Sequence, residues 1–296
     1  MTSQQEMNTS GLSVVLGTYN RKPFLKLAVE SIRHELANAT FPHEIIVVDG
    51  GSTDGTLRWL AKQKDIVTII QHNRGAWQGK EIDRRSWGYF MNLGFRAAQG
   101  KYICMLSDDC LVIPGAIVNG YGTLEKETVN DPPVGVACFY FRDWPEYPDY
   151  FICVAPNGVL LLNHGIFSRK ALEEVGYIDE DRYLFYHADS DLCLRIWEKG
   201  YRIIACPDSY IEHYSHANVF VRRTNAITMD NDWASFYQHW HIPLGLGPET
   251  DKDIWKRQVK AYMDPHATLD KFRWLHRRNS WYFCVRKLYR VLHGRH

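Results

Sequence analysis

The stretch Lys101-Tyr102-Ile103-Cys104-Met105-Leu106-Ser107-Asp108-Asp109-Cys110 has the pattern of a short apolar strand that ends in two adjacent carboxylates. Ile103, Met105 and Leu106 supply apolar side chains to both faces, as a buried strand requires. Two acids are costly to bury without partners, so we expect them at the exposed C-terminal edge of the strand. In open α/β sheets ligands bind at this edge, and adjacent carboxylates there suit a divalent cation that carries phosphates. The alternative is an acidic turn that only caps the strand.

Two earlier strands are predicted to end in polar residues as well. Residues 12–19 predict a strand with Thr18-Tyr19-Asn20 at its C-terminal end, and residues 43–49 predict one that ends at Asp49. Helical spacing follows Pro23 and recurs over residues 86–98. Strands that alternate with helices predict an α/β fold with a parallel, doubly wound sheet. The three polar strand ends should then lie along one edge of that sheet.

Further along, the pattern predicts strands at 134–141, 150–154 and 201–206 and helices at 115–127, 167–175 and 231–240. Another helix is predicted from about Asp189 to Gly200, and Asp191 and Arg195 on it are spaced to form an ion pair. Asp189 suits the helix N-terminus, where it is either a cap or a functional carboxylate. A lone residue such as His213 is more often structural than a ligand.

Composition and motifs exclude several classes of function. The 296 residues carry a net charge of only +1, which gives no indication of a nucleic-acid partner. Neither G-x-G-x-x-G after the first strand nor G-x-x-x-x-G-K-[ST] occurs, so dinucleotide and P-loop enzymes are disfavoured. Seven scattered cysteines without a C-x-x-C pair indicate a reducing, cytoplasmic compartment. No signal peptide or membrane-spanning apolar run is visible.

Several motifs occur together in a characteristic order, and they carry a family resemblance. The motifs are Val14-Val15-Leu16-Gly17-Thr18-Tyr19-Asn20-Arg21, Ile46-Val47-Val48-Asp49-Gly50-Gly51-Ser52-Thr53-Asp54, Asn92-Leu93-Gly94-Phe95, Leu106-Ser107-Asp108-Asp109, Ser168-Arg169-Lys170-Ala171-Leu172, Asp189-Ser190-Asp191-Leu192-Cys193-Leu194-Arg195 and His213. Through them, over residues 11–215, the chain resembles the inverting nucleotide-sugar glycosyltransferases of family 2, which have the GT-A fold.

The resemblance implies a role for each matching residue. It implies Mn²⁺ or Mg²⁺ bound by Asp109 and His213, and Asp189 as the catalytic base. The sequence departs from the family pattern at Ser107, where many relatives have Asp, and at Ala188, where Glu is common. The implied donor-binding residues are Thr18, Tyr19, Asn20, Asp49 at the base, Asp108 at the ribose, and Arg84 or Arg85 at the diphosphate.

The resemblance also implies an architecture and a reaction. GT-A is a Rossmann-like, mostly parallel central sheet flanked by helices; it would occupy residues 1–215, with the donor half at about 11–110 and the acceptor half at about 111–215. Residues 216–296 would form a helical C-terminal extension. The implied enzyme is a hexosyltransferase that moves sugar from a nucleotide-diphosphate donor, most commonly a UDP-sugar, to a hydroxyl of a glycan or lipid-linked acceptor in surface polysaccharide synthesis.

Two other functions compete with this one. A catalytically silent glycan-binding or scaffold protein could have the same fold, but it would not need Asp109, Asp189 and His213 together. A sugar nucleotidyltransferase would need a glycine-rich, basic loop directly after the first strand, which residues 17–21 do not supply.

Aromatic residues and the C-terminal tail extend the hypothesis to the acceptor. Trp77, Trp87, Trp144 and Tyr147 are candidates for stacking on sugars, or else they anchor the core and loops. Residues 271–296 contain eight Lys and Arg and no acid, and they predict a basic amphipathic helix. It either contacts an anionic membrane surface, placing the protein peripherally at the inner face, or packs on the catalytic domain.

Overall fold

The computed structural model describes residues 10–127, 130–144, 149–214, 219–245 and 256–260. All of them belong to one compact unit that ends at Lys260. The predicted boundary between catalytic domain and extension at residue 215 stays a prediction. The basic tail at 271–296 lies outside the described residues, as do the side chains of Trp144 and Tyr147.

Strands and helices alternate through the first half, as the sequence predicts. The strands are β1 (Leu12–Thr18), β2 (His43–Asp49), β3 (Ile66–Ile70), β4 (Ala76–Trp77), β5 (Lys80–Glu81), β6 (Tyr102–Ser107), β7 (Cys110–Val112), β8 (Val134–Trp144), β9 (Tyr150–Val154), β10 (Leu160–Leu161), β11 (Gly165–Ser168), β12 (Arg202–Tyr214) and β13 (Lys256–Lys260). The helices are α1 (Lys22–Leu36), α2 (Thr56–Leu60), α3 (Trp87–Ala97), α4 (Ala116–Glu127), α5 (Arg169–Glu174), α6 (Ala188–Glu198), α7 (Val219–Ala226), α8 (Met229–Phe236) and α9 (Ile242–Leu244), with a π-helix at Tyr237–His241. None of the described helices is long and apolar enough to cross a membrane.

The central sheet confirms the predicted α/β class. Its strands run in the order β10-β9-β8-β11-β6-β1-β2-β3, and β3, β2, β1 and β6 are parallel. The register sets Thr18 beside Asp49 and Gly17 beside Ser107, so the C-terminal ends of β1, β2 and β6 share one edge. The predicted convergence of the polar strand ends is therefore confirmed.

Antiparallel strands complete the sheet beyond β6. β11 pairs with β6 and β8, so residues 165–168, predicted as helical from Phe167 on, are instead a strand followed by α5. β12 runs parallel to β8 and antiparallel to β7, and its register sets His213 opposite Cys110. This long strand brings His213 to the end of β6. β13 pairs with β9, so the predicted helical extension also contributes a strand.

Alternating side chains divide the core between the two faces of the sheet. Val15, Ile46 and Val48 pack on the face covered by α3, whereas Val14 and Val47 pack on the opposite face with α1. The period-2 alternation of β1 and β2 thus fills two apolar layers. A Cβ on Gly94 of α3 would lie 2.5 Å from Val15 Cγ1, so this helix lies closer to the sheet than any larger residue allows.

Candidate active site

Two adjacent acids at the end of β6 are held by residues from the end of β1. Thr18 Oγ1 donates a hydrogen bond to Asp108 Oδ2 at 2.7 Å. Arg21 Nη1 donates to Asp108 Oδ1 and to Asp109 Oδ2, each at 2.8 Å. Burial raises the pKa of Asp108, while Arg21 and then His213 outweigh burial and lower that of Asp109. The guanidinium of Arg21 therefore allows two like charges to share a buried edge.

His213 lies between two carboxylates. Its Nδ1 is 2.6 Å from Asp143 Oδ1, and its Nε2 is 3.3 Å from Asp109 Oδ1. Burial disfavours the charged ring, but the two carboxylates outweigh it and raise the pKa of His213 to about 10. Asp143 fixes the ring so that Nε2 faces Asp109, a common orientation for metal-ligating histidines.

The Asp109 and His213 pair fits a divalent cation. Asp109 Oδ1 is buried and accepts no hydrogen bond from the described residues, although His213 Nε2 is within ion-pair distance. An oxygen and an imidazole nitrogen that face each other are donors suited to Mn²⁺, and less well to Mg²⁺. Asp109 and His213 could therefore hold a divalent cation in this cleft.

Asp189 lies in the first turn of α6 and faces the same cleft. The N-cap position is taken by His187, with φ of 65°, so the alternative that Asp189 is the cap is wrong. Its Oδ1 accepts a hydrogen bond from Ser190 N at 2.9 Å. Burial raises the pKa of Asp189 to about 6. A carboxylate with such a pKa accepts a proton near neutral pH more readily than an ordinary Asp.

The loop that precedes Asp189 is held from α8. Asp232 accepts three successive backbone N–H groups, from Leu184 at 2.8 Å and from Phe185 and Tyr186 at 2.9 Å. Thr228 Oγ1 donates to the same carboxylate at 3.0 Å. Asp232 is 3% exposed, so these charge-assisted bonds are shielded from water and fix the loop.

Two arginines approach the cleft from the polar segment before α3. Arg74 Nη2 and Arg84 Nη2 donate to the same oxygen, Asn225 Oδ1, at 2.8 and 2.7 Å. Arg84 also donates to Thr224 O at 2.9 Å. Burial and the mutual repulsion of the guanidiniums lower the pKa of Arg74. Two cations held by a neutral amide are a favourable site for an anion.

Other predicted donor residues occupy different surroundings. Arg85 lies over the Tyr89 ring at 5.4 Å and lines the cleft, as does Tyr19, which stacks under Arg74 at 5.1 Å. Asn20 Oδ1 instead accepts the backbone N–H of Thr53 at 2.7 Å and so ties the ends of β1 and β2 together.

Asp49, at the end of β2, is fully buried. Its Oδ1 accepts the N–H groups of Gly51 and Ser52, whereas its Oδ2 has no hydrogen-bond partner among the described residues. Burial raises the pKa of Asp49. The roles predicted for Asp49 and Asn20 stay predictions.

The sequence also predicts an ion pair on α6 and several aromatic residues that could stack on sugars. The pair of Asp191 and Arg195 is confirmed at 2.7 Å, and Trp240 Nε1 also donates to this buried carboxylate at 2.9 Å. Trp87 lines the cleft, while Trp77 is 71% exposed on the β4–β5 hairpin.

A single cleft of about 340 Å³ gathers most of these groups, since Asp109, His213 and Asp189 all line it. Reasoning from the sequence missed five contributors. Arg21 directly follows the Thr-Tyr-Asn motif, which is a usable signal, but the other four come from distant segments that only the fold brings near. Those residues are Arg74, Asp143, Asn225 and Asp232.

Comparisons with known proteins agree with this architecture. Residues 13–148 match the family model described as Glycosyl transferase family 2. The chain is 25% identical over 278 residues to EpsE of Bacillus subtilis (strain 168), named as a glycosyltransferase, covering 88% of this chain and 92% of that protein. It is 21% identical over 241 residues to chondroitin synthase of Pasteurella multocida (strain Pm70), covering 66% of this chain but only 24% of that protein.

Solved structures share the fold at lower identity. Mannosyltransferase PcManGT from Pyrobaculum calidifontis, in complex with GDP-Man and Mn²⁺, superposes with a TM-score of 0.54 at 22% identity, covering 80% of this chain and 65% of that one. S. aureus TarS 1-349 in complex with UDP-GlcNAc gives 0.55 at 15% identity, covering 77% and 66%. With the sheet order, these likenesses identify the fold as GT-A, and residues 13–148 resemble glycosyl transferase family 2.

Proposed function

We propose that this protein is a family 2 glycosyltransferase, metal-dependent and inverting, and that it moves a hexosyl group from a nucleotide-diphosphate donor to a hydroxyl of a glycan or lipid-linked acceptor. One observation carries the proposal: the cleft has a cation-ligand pair, Asp109 and His213, and a carboxylate of raised pKa, Asp189. A glycan-binding scaffold, the alternative, would need neither.

The donor's diphosphate would bind between the acidic edge and the arginines. Arg74 and Arg84 are held on Asn225 and carry their charges into the cleft without a carboxylate partner in the bonds described. Thr18, Tyr19 and Asp108 line the side nearest β1, where a nucleoside would lie. The complexes of structural relatives with GDP-Man and with UDP-GlcNAc support a nucleotide-sugar donor of either base.

Asp109 and His213 would hold Mn²⁺ or Mg²⁺. A bound divalent cation supplies Lewis-acid stabilisation to the departing diphosphate. Asp143 keeps His213 Nε2 directed at Asp109, and the ring must lose its proton before it can ligate. The Mn²⁺ in the mannosyltransferase complex supports this choice of ion.

Asp189 would act as the general base. Its carboxylate would accept the proton of the acceptor hydroxyl as the oxygen attacks the anomeric carbon, a contribution of roughly 10²–10⁴ in rate. Attack opposite the departing diphosphate inverts the anomeric centre. The Asp232 contacts fix the loop before α6 and so keep the base in position.

The acceptor would enter past Trp87 and Phe185, which lie edge to face with centroids 6.4 Å apart and both line the cleft. Apolar rings of this kind stack on sugar faces. The similarity to a chondroitin synthase supports a polysaccharide product.

Cellular placement completes the proposal. The six cysteines in the described residues are free thiols, which supports a reducing, cytoplasmic compartment. Contact of residues 271–296 with the inner membrane surface would be tested by flotation with anionic liposomes, comparing full-length protein with a form truncated at residue 270. Equal flotation of both forms would remove the membrane contact.

The deciding experiment combines nucleotide binding with turnover. UDP, GDP and dTDP are screened for thermal stabilisation with and without Mn²⁺, and the matching nucleotide sugars are then screened for transfer. We expect one nucleotide to stabilise only with the metal, and NMR of the product to show the inverted anomer. Retention of configuration would overturn the inverting mechanism, and the absence of any metal-dependent nucleotide binding would favour the scaffold.

Variants then separate binding from chemistry. Asp189→Asn should keep donor affinity near that of the native protein while transfer falls at least a hundredfold. Asp181→Asn, which changes an exposed carboxylate outside the cleft, should keep most activity. Arg84→Gln should raise the KM for the donor about tenfold with little change in kcat. Retained turnover in Asp189→Asn would refute the assignment of the base.

A further inference from the structure

A cysteine and a second histidine lie directly beside the Asp109 and His213 pair. One potential ligand atom from each of Cys110, His164 and His213 lies within 4.8 Å of the others. Cys110 begins β7 and is the cross-strand partner of His213 on β12. His164 precedes β11, and its ring centroid is 5.1 Å from that of His213. Three separate segments therefore place sulfur and nitrogen donors next to the acidic edge.

This cluster is largely buried, and its polar atoms are only partly hydrogen-bonded. His164 is fully buried, and its Nδ1 has no hydrogen-bond partner among the described residues. Its Nε2 lies 3.0 Å from Cys110 Sγ and 3.2 Å from Ser107 Oγ. Phe141 covers both imidazoles, with centroids 5.5 Å from His164 and 6.3 Å from His213. His164 Nδ1 and Asp109 Oδ1 are both buried without a hydrogen-bond partner among the described residues, although Asp109 Oδ1 is within ion-pair distance of His213.

The spacing is close to that of a tetrahedral site. Bonds of about 2.0–2.3 Å to nitrogen and sulfur put neighbouring ligand atoms roughly 3.3–3.8 Å apart. The three donor atoms lie within 4.8 Å of one another, so each pair needs to approach by at most about 1.5 Å, within the reach of side-chain rotation. Asp109 Oδ1, at 3.3 Å from His213 Nε2, already has the spacing of a fourth ligand.

We propose that Cys110 and His164 join Asp109 and His213 in a site of mixed sulfur, nitrogen and oxygen ligands that selects Zn²⁺ over Mn²⁺ or Mg²⁺. The inference rests on the proposed metal position, with which it shares Asp109 and His213. Thiolate and imidazole favour Zn²⁺ and Co²⁺, and both ions lie above Mn²⁺ in intrinsic affinity. Oxygen ligands alone would give the same order with a much smaller difference in affinity.

Binding of Zn²⁺ at this site would release two protons. The Zn–S bond forms as the Cys110 thiol releases its proton to solvent, and a protonated His213 releases a second one before Nε2 ligates. No electron transfer is involved. Zn²⁺ bound by all four groups would occupy the position proposed for Mn²⁺ without the open coordination sites that a diphosphate needs, so Zn²⁺ should compete with Mn²⁺ and reduce transfer.

The test uses full-length protein and Co²⁺ as a spectroscopic probe, alone and displaced by Zn²⁺. Thiolate ligation gives an intense sulfur-to-cobalt charge-transfer band, which carboxylate and imidazole ligands do not. We expect one equivalent of Co²⁺ to produce the band and one equivalent of Zn²⁺ to abolish it. The band should be lost in Cys110→Ser, weaken in His164→Gln and persist in Cys153→Ser, a half-buried thiol that lies outside the cluster.

The outcomes distinguish this inference from the proposed function. Native protein that binds Mn²⁺ by electron paramagnetic resonance but gives no sulfur band with Co²⁺ overturns the mixed site and leaves the transferase proposal intact. A band that survives in Cys110→Ser also overturns it. A sulfur band without Mn²⁺-dependent nucleotide binding would support the mixed site while the transferase mechanism fails. The Co²⁺ spectrum of the native protein alone shows whether a thiolate binds the metal. The test therefore remains valid even when one of the variants does not fold.

Discussion

Replacement of Asp232 by Asn should weaken both the stability of the protein and its catalysis. One carboxylate oxygen accepts Leu184 N–H at 2.8 Å, and the other accepts Phe185 N–H and Tyr186 N–H at 2.9 Å. An amide keeps one acceptor oxygen, so its best orientation retains two of these bonds and turns an NH₂ group toward the third N–H. The loss of one charge-assisted bond, the weakening of two more and the unpaired donors together cost about 2–4 kcal/mol.

The functional part of the effect follows from position. The three N–H groups belong to the loop that ends at His187, the residue before α6 and two before Asp189. A loop free to move by about 1 Å would misplace the base and cost on the order of 10²-fold in kcat. Donor affinity should change little, because the donor contacts proposed above come from other elements.

Urea denaturation and steady-state kinetics check both parts. Asp230→Asn is the matched control, because Asp230 lies exposed on the same helix and has the same charge. We expect the control to change the free energy of unfolding by less than about 0.5 kcal/mol and to leave kcat unaltered. An Asp232→Asn protein as stable and as active as the control would refute the reasoning.

Three further predictions concern the core and the pH dependence. Arg142→Ala leaves the fully buried Glu212 without its ion-pair partner and should cost about 3–5 kcal/mol in urea denaturation. Arg202→Ala, which removes a half-buried arginine from its pair with Glu127, should cost under about 1 kcal/mol. Gly94→Ala forces a Cβ against the sheet and should destabilise by about 1–3 kcal/mol; an unchanged Tm would show that α3 can shift freely. Because burial raises the pKa of Asp189 from 3.8 to about 6, its stabilising protonated form is lost as the pH rises through 6, so Asp189→Asn should gain Tm relative to the native protein between pH 4 and 7. In the native enzyme kcat/KM should rise over the same range as the base ionises, and a flat profile would contradict the raised pKa.

The parallel half of the fold could be predicted from the sequence because its signals are local. Apolar runs at β1, β2 and β6, with polar residues at each end, specify both the strands and the edge at which they meet. A parallel sheet requires those ends to align, so Thr18, Asp49 and Asp108 could be placed together without knowledge of the tertiary structure. Residues 165–168 were harder to assign, since a segment with only two large apolar residues, Ile166 and Phe167, fits a strand or a helix equally well.

The supporting parts of the site depend on long-range contacts, which no local pattern encodes. Asp143 meets His213 because β8 and β12 pair in one particular register, with an irregularity between Ala205 and Tyr210. Asn225 meets Arg74 across 151 residues of chain. Their residue types are common on surfaces, so nothing in their neighbourhood distinguishes them from solvated side chains.

Helices α7 and α8 support two different sides of the cleft. Asn225 on α7 holds the arginines, and Asp232 on α8 holds the loop before the base. Both residues follow the segment that matches the family model, which stops at residue 148. Replacement of the chain beyond residue 215 would therefore remove the side chains that hold both the arginines and the loop before Asp189. With the donor and base positions proposed above, a change confined to these two short helices would alter both sides of the cleft together while the sheet stays the same.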